Sequence, residues 1–147
     1  MKALNMMQMD FLSKSSNEGF ARAAVASFAA QLDPTLEEIG DIKTAVSEAV
    51  TNATVHAYPD QIGKIRIKVR CYEGNLLEII VQDWGVGIAD IAQARQPMFT
   101  TGGEERSGMG FTIMESFMDV LRIRSVPGKG TSVSMKRRIS VRRREEI

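Results

Sequence analysis

The chain has 147 residues, 44% of them hydrophobic and 25% charged, with a formal net charge of +1. That size and balance fit one soluble domain around a single core and argue against a dedicated DNA binder. No apolar run is long enough to span a membrane. The single cysteine excludes an intrachain disulfide, and one cysteine with one histidine cannot build a zinc cluster, so a cytoplasmic protein is expected.

Met7, Met9 and Phe11 alternate as a first strand, and Asp10 breaks the Met-rich patch, with no signal-peptide pattern after it. Ser15-Ser-Asn-Glu18 has the form of a capping box and predicts a helix with Phe20, Ala24, Ser27 and Phe28 on its apolar face. Pro34 and a second box, Thr35-Leu-Glu-Glu38, predict the start of a long helix. Tyr58-Pro59-Asp60 ends it, because proline disfavours helix in the residue before it. Within it, Glu48-Ala-Val-Thr-Asn52-Ala-Thr-Val-His56 puts a carboxylate, a carboxamide and an imidazole on one face, at i, i+4 and i+8. Val46, Val50, Ala53 and Ala57 fall roughly opposite. Alone, such a polar stripe reads more readily as a solvated face than as a site.

A strand pair is predicted near residues 64–72 and 76–83, turned by Glu73-Gly74-Asn75. Cys71 alternates with Ile65, Ile67 and Val69 and reads as a buried structural thiol. Leu77, Ile79, Val81 and Asp83 share one face, and a carboxylate at the end of a buried face needs a partner. The glycines of Asp83-Trp-Gly85-Val-Gly87 would let a flat ligand approach the backbone closely. Residues 90–107 read as loop, with a short helix at most around Ile91 to Ala94. Arg106-Ser-Gly108-Met-Gly110-Phe111-Thr112 then opens an apolar helix through Ile113, Met114, Phe117 and Met118. Glycines at such a junction leave N–H groups converging on one spot, where the helix dipole favours an anion such as phosphate. Arg106 would meet a terminal phosphate there; alone, the segment reads at least as readily as a flexible loop with an ordinary helix start.

Two more strands are predicted near 120–126 and 131–137, with Pro127-Gly-Lys-Gly130 between them and the Thr131 hydroxyl facing inward with Val133 and Met135. The basic residues Lys136, Arg137, Arg138, Arg142, Arg143 and Arg144 read as a solvated, frayed terminus. This divides the chain into a domain at 1–137 and a basic tail at 138–147. The element order predicts an α+β two-layer sandwich: one mixed, mostly antiparallel sheet with helices on one face.

In this order, the Glu/Asn helix, the Asp-x-Gly-x-Gly loop and the Gly-x-Gly helix start resemble the N, G1 and G2 boxes of the GHKL superfamily of ATPases and kinases. The P-loop ending in Gly-Lys-Ser/Thr and the protein-kinase motif set are both absent. More narrowly, four blocks resemble the anti-sigma F factors of endospore-forming bacteria, serine kinases that bind the sporulation sigma factor F. The blocks are Phe20-Ala-Arg22, Ser47-Glu-Ala-Val-Thr-Asn52-Ala, Ala94-Arg-Gln-Pro-Met-Phe-Thr-Thr101 and Glu105-Arg-Ser-Gly-Met-Gly-Phe-Thr-Ile-Met-Glu115. The likeness runs from about Phe11 to about Lys136. Trp84 departs from it, standing where a polar residue is usual, and reads as a sheet cap rather than a rim of the adenine pocket. Gly102-Gly103 departs too, in the lid before Arg106.

The resemblance implies ATP and Mg²⁺ as cofactors. It makes Glu48 the base that takes the serine proton, Asn52 the Mg²⁺ ligand, and Arg106 the contact to the γ-phosphate. Asp83 would read the adenine amino group, supported by Gly85, Gly87 and Thr131. Gly108, Gly110, Phe111 and Thr112 would cradle the phosphates, and Arg22 would touch protein partners. Those partners are sigma factor F, an anti-anti-sigma factor phosphorylated on serine, and a second copy in a homodimer, with no direct nucleic acid and no membrane. Length gives a separate expectation: no transducer domain fits, and the only histidine lies inside the nucleotide-site helix, so the chain should act on a separate protein. The related kinase of the general-stress sigma factor, a non-catalytic sigma-binding module and a stand-alone ATPase remain as alternatives.

Overall fold

The computed structural model describes residues 2–96 and 110–141. The elements are β1 (Asn5–Leu12), α1 (Asn17–Ala29), a 3₁₀ turn (Ala30–Leu32), α2 (Leu36–Asn52), a π-helical turn (Ala53–Ala57), β2 (Lys64–Tyr72), β3 (Leu76–Asp83), α3 (Ile91–Ala94), α4 (Gly110–Phe117), β4 (Val120–Val126) and β5 (Gly130–Arg138). The strands form one sheet in the order β1-β2-β3-β5-β4. Every neighbouring pair is antiparallel, so the expected antiparallel bias is complete among the described strands and no parallel pair is present.

Period-two patterning sets which side of the sheet is covered. Along β2, Ile65, Ile67, Val69 and Cys71 are buried, and Lys64, Arg66, Lys68 and Arg70 point the other way. The covered face packs against Ile42, Val46, Val50 and Ala53 of the α2 side, and Ala21, Val25 and Ala29 of α1 join the same core. Each fully buried Val or Ile contributes roughly 1.5–3 kcal/mol. Among the described residues, no helix is long and apolar enough to cross a membrane.

The two capping signals behave differently. At α2 the box forms: Thr35 Oγ1 accepts the Glu38 N–H at 3.0 Å, and Glu38 Oε1 accepts the Thr35 N–H at 2.8 Å. At α1 it does not. Ser16 precedes the helix without a side-chain cap bond, and Asn17 Nδ2 donates to the Leu12 carbonyl at 2.9 Å. Glu18 accepts from the Thr51 hydroxyl at 3.2 Å and is thereby drawn toward α2. The expected apolar face of α1 is also corrected: its centre moves by one position, although Phe28 still packs, half-buried, against the core. Ala21, Val25 and Ala29 are buried, whereas Phe20 is 57% exposed and Ser27 is exposed. Alanines let α1 approach α2 closely, and a phenyl ring on that stripe would hold the helices apart.

The limit expected at 137 falls inside β5, and the chain stays attached beyond it. Ile139 is buried and its N–H donates to the Asn75 carbonyl at 2.8 Å. Ser140 donates both its N–H and its hydroxyl to Glu38, each at 2.9 Å. Part of the supposed basic tail is therefore structural. Arg137 bridges Asp41 at 2.6 Å and the Phe117 carbonyl at 2.7 Å, and Lys136 lies 3.8 Å from Glu78. Arg142, Arg143 and Arg144 lie outside the described residues.

Candidate functional site

The site begins where α2 changes pitch. Residues 53–57 form a π turn after Asn52, and the Ala57 carbonyl accepts the Val86 N–H at 2.9 Å. A β-carbon at Gly85 would collide with that same Ala57 carbonyl. Tyr58 makes the second stitch: its hydroxyl donates to the Lys64 carbonyl at 2.6 Å and accepts the Trp84 N–H at 2.8 Å. The loop after β3 is thus tied to the end of the helix that carries Glu48 and Asn52.

Asp83 ends β3 as a buried residue, 7% exposed. Its Oδ1 accepts the Gly85 N–H at 2.9 Å and the Thr131 N–H at 3.1 Å, and Oδ2 accepts none among the described residues. Burial pushes its carboxyl above the usual range, and the two N–H groups pull the other way. Thr131 is its cross-strand partner on β5. The Thr131 hydroxyl lies 2.8 Å from Ser125 Oγ, which also accepts the Ile88 N–H at 2.7 Å.

The glycines here serve a different purpose from the one expected. Gly87 has φ +77°, and a side chain there would strike the Val126 main chain. Gly130 has φ +122°, and a side chain there would strike the Asp83 main chain. Their freedom, like the bareness of Gly85, admits neighbouring protein backbone rather than a ligand. Gly85 stands behind the cavity wall, whereas Gly87 is part of it.

A cavity of about 820 Å³ opens between the helices and this sheet end, a size suited to a small organic ligand. Glu48, Asn52 and His56 line one side; Asp83, Gly87 and Thr131 line the other. The i, i+4, i+8 stripe is therefore a cavity wall and not an ordinary solvated face. At the N-terminus of α4, a β-carbon on Gly110 would sit 3.0 Å from Asn52 Oδ1 and 3.1 Å from its Nδ2. Gly110 and Phe111 both reach the cavity, with the Phe111 ring in the core. Thr112 does not line it, and its hydroxyl is turned toward the Arg95 carbonyl at 3.5 Å. Arg106 and Gly108 lie outside the described residues. Arg22 is exposed, with its guanidinium 3.3 Å from Ser47 Oγ, beside Glu48. Trp84 is 42% exposed, with Lys64 Nζ 4.5 Å and Arg66 Cζ 5.3 Å from its ring. It caps the outer face of the sheet and is absent from the cavity wall.

The sequence reading missed three parts of this site: the π turn, the Tyr58 stitch and Ser125. No residue pattern marks a π turn. Ser125 did leave a signal, because it shares strand parity with Leu121 and Ile123 and is thus a polar residue on an inner face.

A closed acceptor at one end of a cleft and a carboxylate beside a carboxamide at the other suit a nucleotide held between base and phosphates. Residues 13–137 match the family model described as Histidine kinase-like ATPase domain, and the chain is a domain of that class. Solved structures agree on the fold. The RsbU and RsbW domains of a Mycobacterium tuberculosis protein superpose with a TM-score of 0.68 at 19% identity, over 97% of this chain and 35% of that one. The histidine kinase domain of a blue-light activated kinase from Erythrobacter litoralis gives 0.58 at 22% identity, over 83% and 61%.

Closer relatives narrow the class. The chain is 60% identical over 140 residues to the anti-sigma F factor of Thermoanaerobacter sp., covering 95% of this chain and 97% of the relative. It is 55% identical over 141 residues to that of Pasteuria penetrans, covering 95% and 94%. The chain belongs to the anti-sigma F factor family.

Proposed function

We propose that the chain is an ATP-dependent protein-serine kinase that also acts as an anti-sigma factor. It binds and blocks sporulation sigma factor F, and it phosphorylates an anti-anti-sigma factor on serine. One observation carries the catalytic part of this reading: Glu48 and Asn52, one helical turn apart, line the same cavity as Asp83.

Phosphoryl transfer depends mostly on positioning and charge neutralisation. Asp83 offers an acceptor to the adenine amino group, with Thr131 and Gly87 at the same edge. Gly110 and Phe111, at the first turn of α4, offer main-chain N–H groups to phosphate, as does Gly108 ahead of them. Thr112, turned toward Arg95, contributes main chain only. Glu48 takes the proton of the acceptor serine as that oxygen bonds to the γ-phosphorus and ADP leaves with the bridging oxygen. Arg106 contacts the γ-phosphate and so distinguishes ATP from ADP.

Among the described residues no three His, Cys, Asp or Glu side chains gather to cage a metal. A lone carboxamide fits Mg²⁺, which takes few protein ligands and keeps phosphates and waters. Asn52 would hold the ion, which neutralises phosphate charge when bound. Arg22, exposed beside the reaction end, is placed to touch the protein partners. The working form is a cytoplasmic homodimer, its kinase domain running past 137 at least to Ser140, which is bonded to Glu38.

The test is incubation with Mg²⁺, γ-labelled ATP and a candidate anti-anti-sigma protein already shown to bind. Label on a partner serine that disappears with Glu48→Gln is the expected result. Intact nucleotide binding without label would make the chain a sigma-binding module. Steady hydrolysis without any acceptor would make it an ATPase.

A further inference from the structure

We propose that a groove on the exposed side of α2 seats the serine-bearing segment of the acceptor protein, and that Lys43 selects an acidic residue beside that serine. The proposal rests on the kinase reading above and deepens it, because it names what the acceptor must carry next to the atom that is phosphorylated.

The groove has a volume of about 460 Å³. Gly40, Lys43, Thr44, Ser47 and Glu48 line it, with Arg22 of α1 beside them. The α2 positions fall at i, i+3, i+4, i+7 and i+8 and so form one stripe along a single helical face. Ser47 and Glu48 also line the nucleotide cavity. The two hollows therefore meet at the carboxylate that acts as base in the kinase reading. A nucleotide occupies one hollow, and a serine arriving through the other reaches Glu48 from outside.

Shape and charge say what fits. A β-carbon on Gly40 would meet nothing within 4 Å, so the groove is open at that end. The Thr44 hydroxyl donates to the Gly40 carbonyl at 2.9 Å, and Ser47 Oγ holds the Arg22 guanidinium at 3.3 Å. Arg22 and Lys43 are exposed cations, and neither forms an ion pair among the described residues. The positions three and four away from Lys43 on α2 are Ile39, Gly40, Val46 and Ser47, none of them acidic. Glu48 is the one acid on the groove wall, and its role there is to take a proton. The cations therefore call for negative charge from the occupant. A helix rises about 1.5 Å per residue, which places Lys43 roughly 7–8 Å back from Glu48 along the axis. An extended chain covers that distance in roughly two or three residues. A carboxylate that far from the serine pairs with Lys43 while the serine hydroxyl lies at Glu48.

The test measures transfer from γ-labelled ATP as a function of acceptor concentration, with an anti-anti-sigma protein already shown to bind. Lys43→Ala should raise the KM for acceptor about twofold to fivefold, the range of one exposed ion pair. Lys43→Glu should raise it about tenfold or more, because it sets like charges face to face. Lys43→Arg should stay near wild type. In all three, ATP affinity and kcat at saturating acceptor should be unchanged, a split that a purely structural lysine would not produce. Reversing to lysine the acidic residue near the labelled serine should restore transfer by Lys43→Glu, and reversing a distant acid should not. Gly40→Phe fills the groove without altering charge, at an exposed position with room for a side chain, and should raise the acceptor KM alone. Unchanged KM in both Lys43→Glu and Gly40→Phe would overturn the proposal. So would efficient labelling of an acceptor with no acid near its serine, or a loss of ATP affinity as large as the loss of transfer. Each of these leaves the kinase reading standing, whereas a wild-type chain that labels no acceptor would overturn both.

Discussion

At the base end of the cleft, three glycines face main chain: Gly85 against Ala57, Gly87 against Val126, and Gly130 against Asp83. At the reaction end, the glycine at the start of α4 faces a side chain, the Asn52 amide. Main chain cannot swing aside, whereas an amide can change rotamer. The base end is therefore fixed by the same contacts that hold the fold together, and a change there costs stability and binding jointly. At the reaction end, Glu48 and Asn52 project from a helix whose other face does the packing, so chemistry can be removed with the fold left standing.

The sharpest separation should come from Glu48→Gln. Transfer to serine should fall by about 10²–10⁴-fold, with the melting temperature unchanged and ATP still bound. A parallel loss of stability would erase the distinction between the two ends. Gly85→Ala should do the reverse. Its β-carbon collides with Ala57 and threatens the Val86 N–H bond to that carbonyl. Denaturant titration should register a loss of about 3 kcal/mol or more; a change under about 0.5 kcal/mol would mean the base end yields after all. Asn52→Ala, on the half-buried side of α2, should lose Mg²⁺-dependent nucleotide affinity and keep its denaturation midpoint. Unaltered Mg²⁺ dependence would remove Asn52 as the metal ligand.

Weakening α2 at the end remote from the cleft provides the control. Thr35→Ala removes a formed cap and should cost about 1 kcal/mol, whereas Ser16→Ala, without a side-chain bond to lose, should stay within about 0.5 kcal/mol. Both should leave nucleotide affinity as it is in wild type. A separate effect should appear in acid. Burial would raise the Glu38 carboxyl, but bonds from Thr35 and Ser140 hold it down to about 2 against 4.5 when unfolded. The folded chain thus releases that proton more readily than the unfolded one. The stabilisation is fully present above 4.5 and is lost as pH falls from there toward about 2. The stability gap between wild type and Glu38→Gln should therefore close across that window. A gap independent of pH would mean that Glu38 acts by packing alone. Asp83, whose carboxyl is raised, opposes this trend: the folded chain holds its proton more tightly, so acid lessens the cost of burying it.

The two helix starts show how far local pattern reaches. Ser15-Ser-Asn-Glu18 and Thr35-Leu-Glu-Glu38 carry the same box, yet only the second closes. At the second, Thr35 has extended backbone, with ψ near 164°, which brings its hydroxyl over the Glu38 N–H. At the first, Ser16 is already in a helical conformation, and Glu18 is drawn to Thr51, 33 positions along the chain. Likewise Phe20 outweighs Ala21 on any hydrophobicity count, but the contact between α1 and α2 selects the smaller residue. Strands β2 and β3 were legible to the residue because period two and a three-residue turn are both local properties.

By itself, the sequence determined the order of the elements, the faces of the strands, and a polar stripe on α2 with an acceptor at the end of β3. Each of these follows from the geometry of a single helix or strand. Only the tertiary structure decided that the stripe and the acceptor share one cavity, that three glycines make room for protein backbone, and that Ser125 stands behind Thr131. These depend on contacts between segments far apart in the chain, where close packing rather than periodicity chooses which atoms meet.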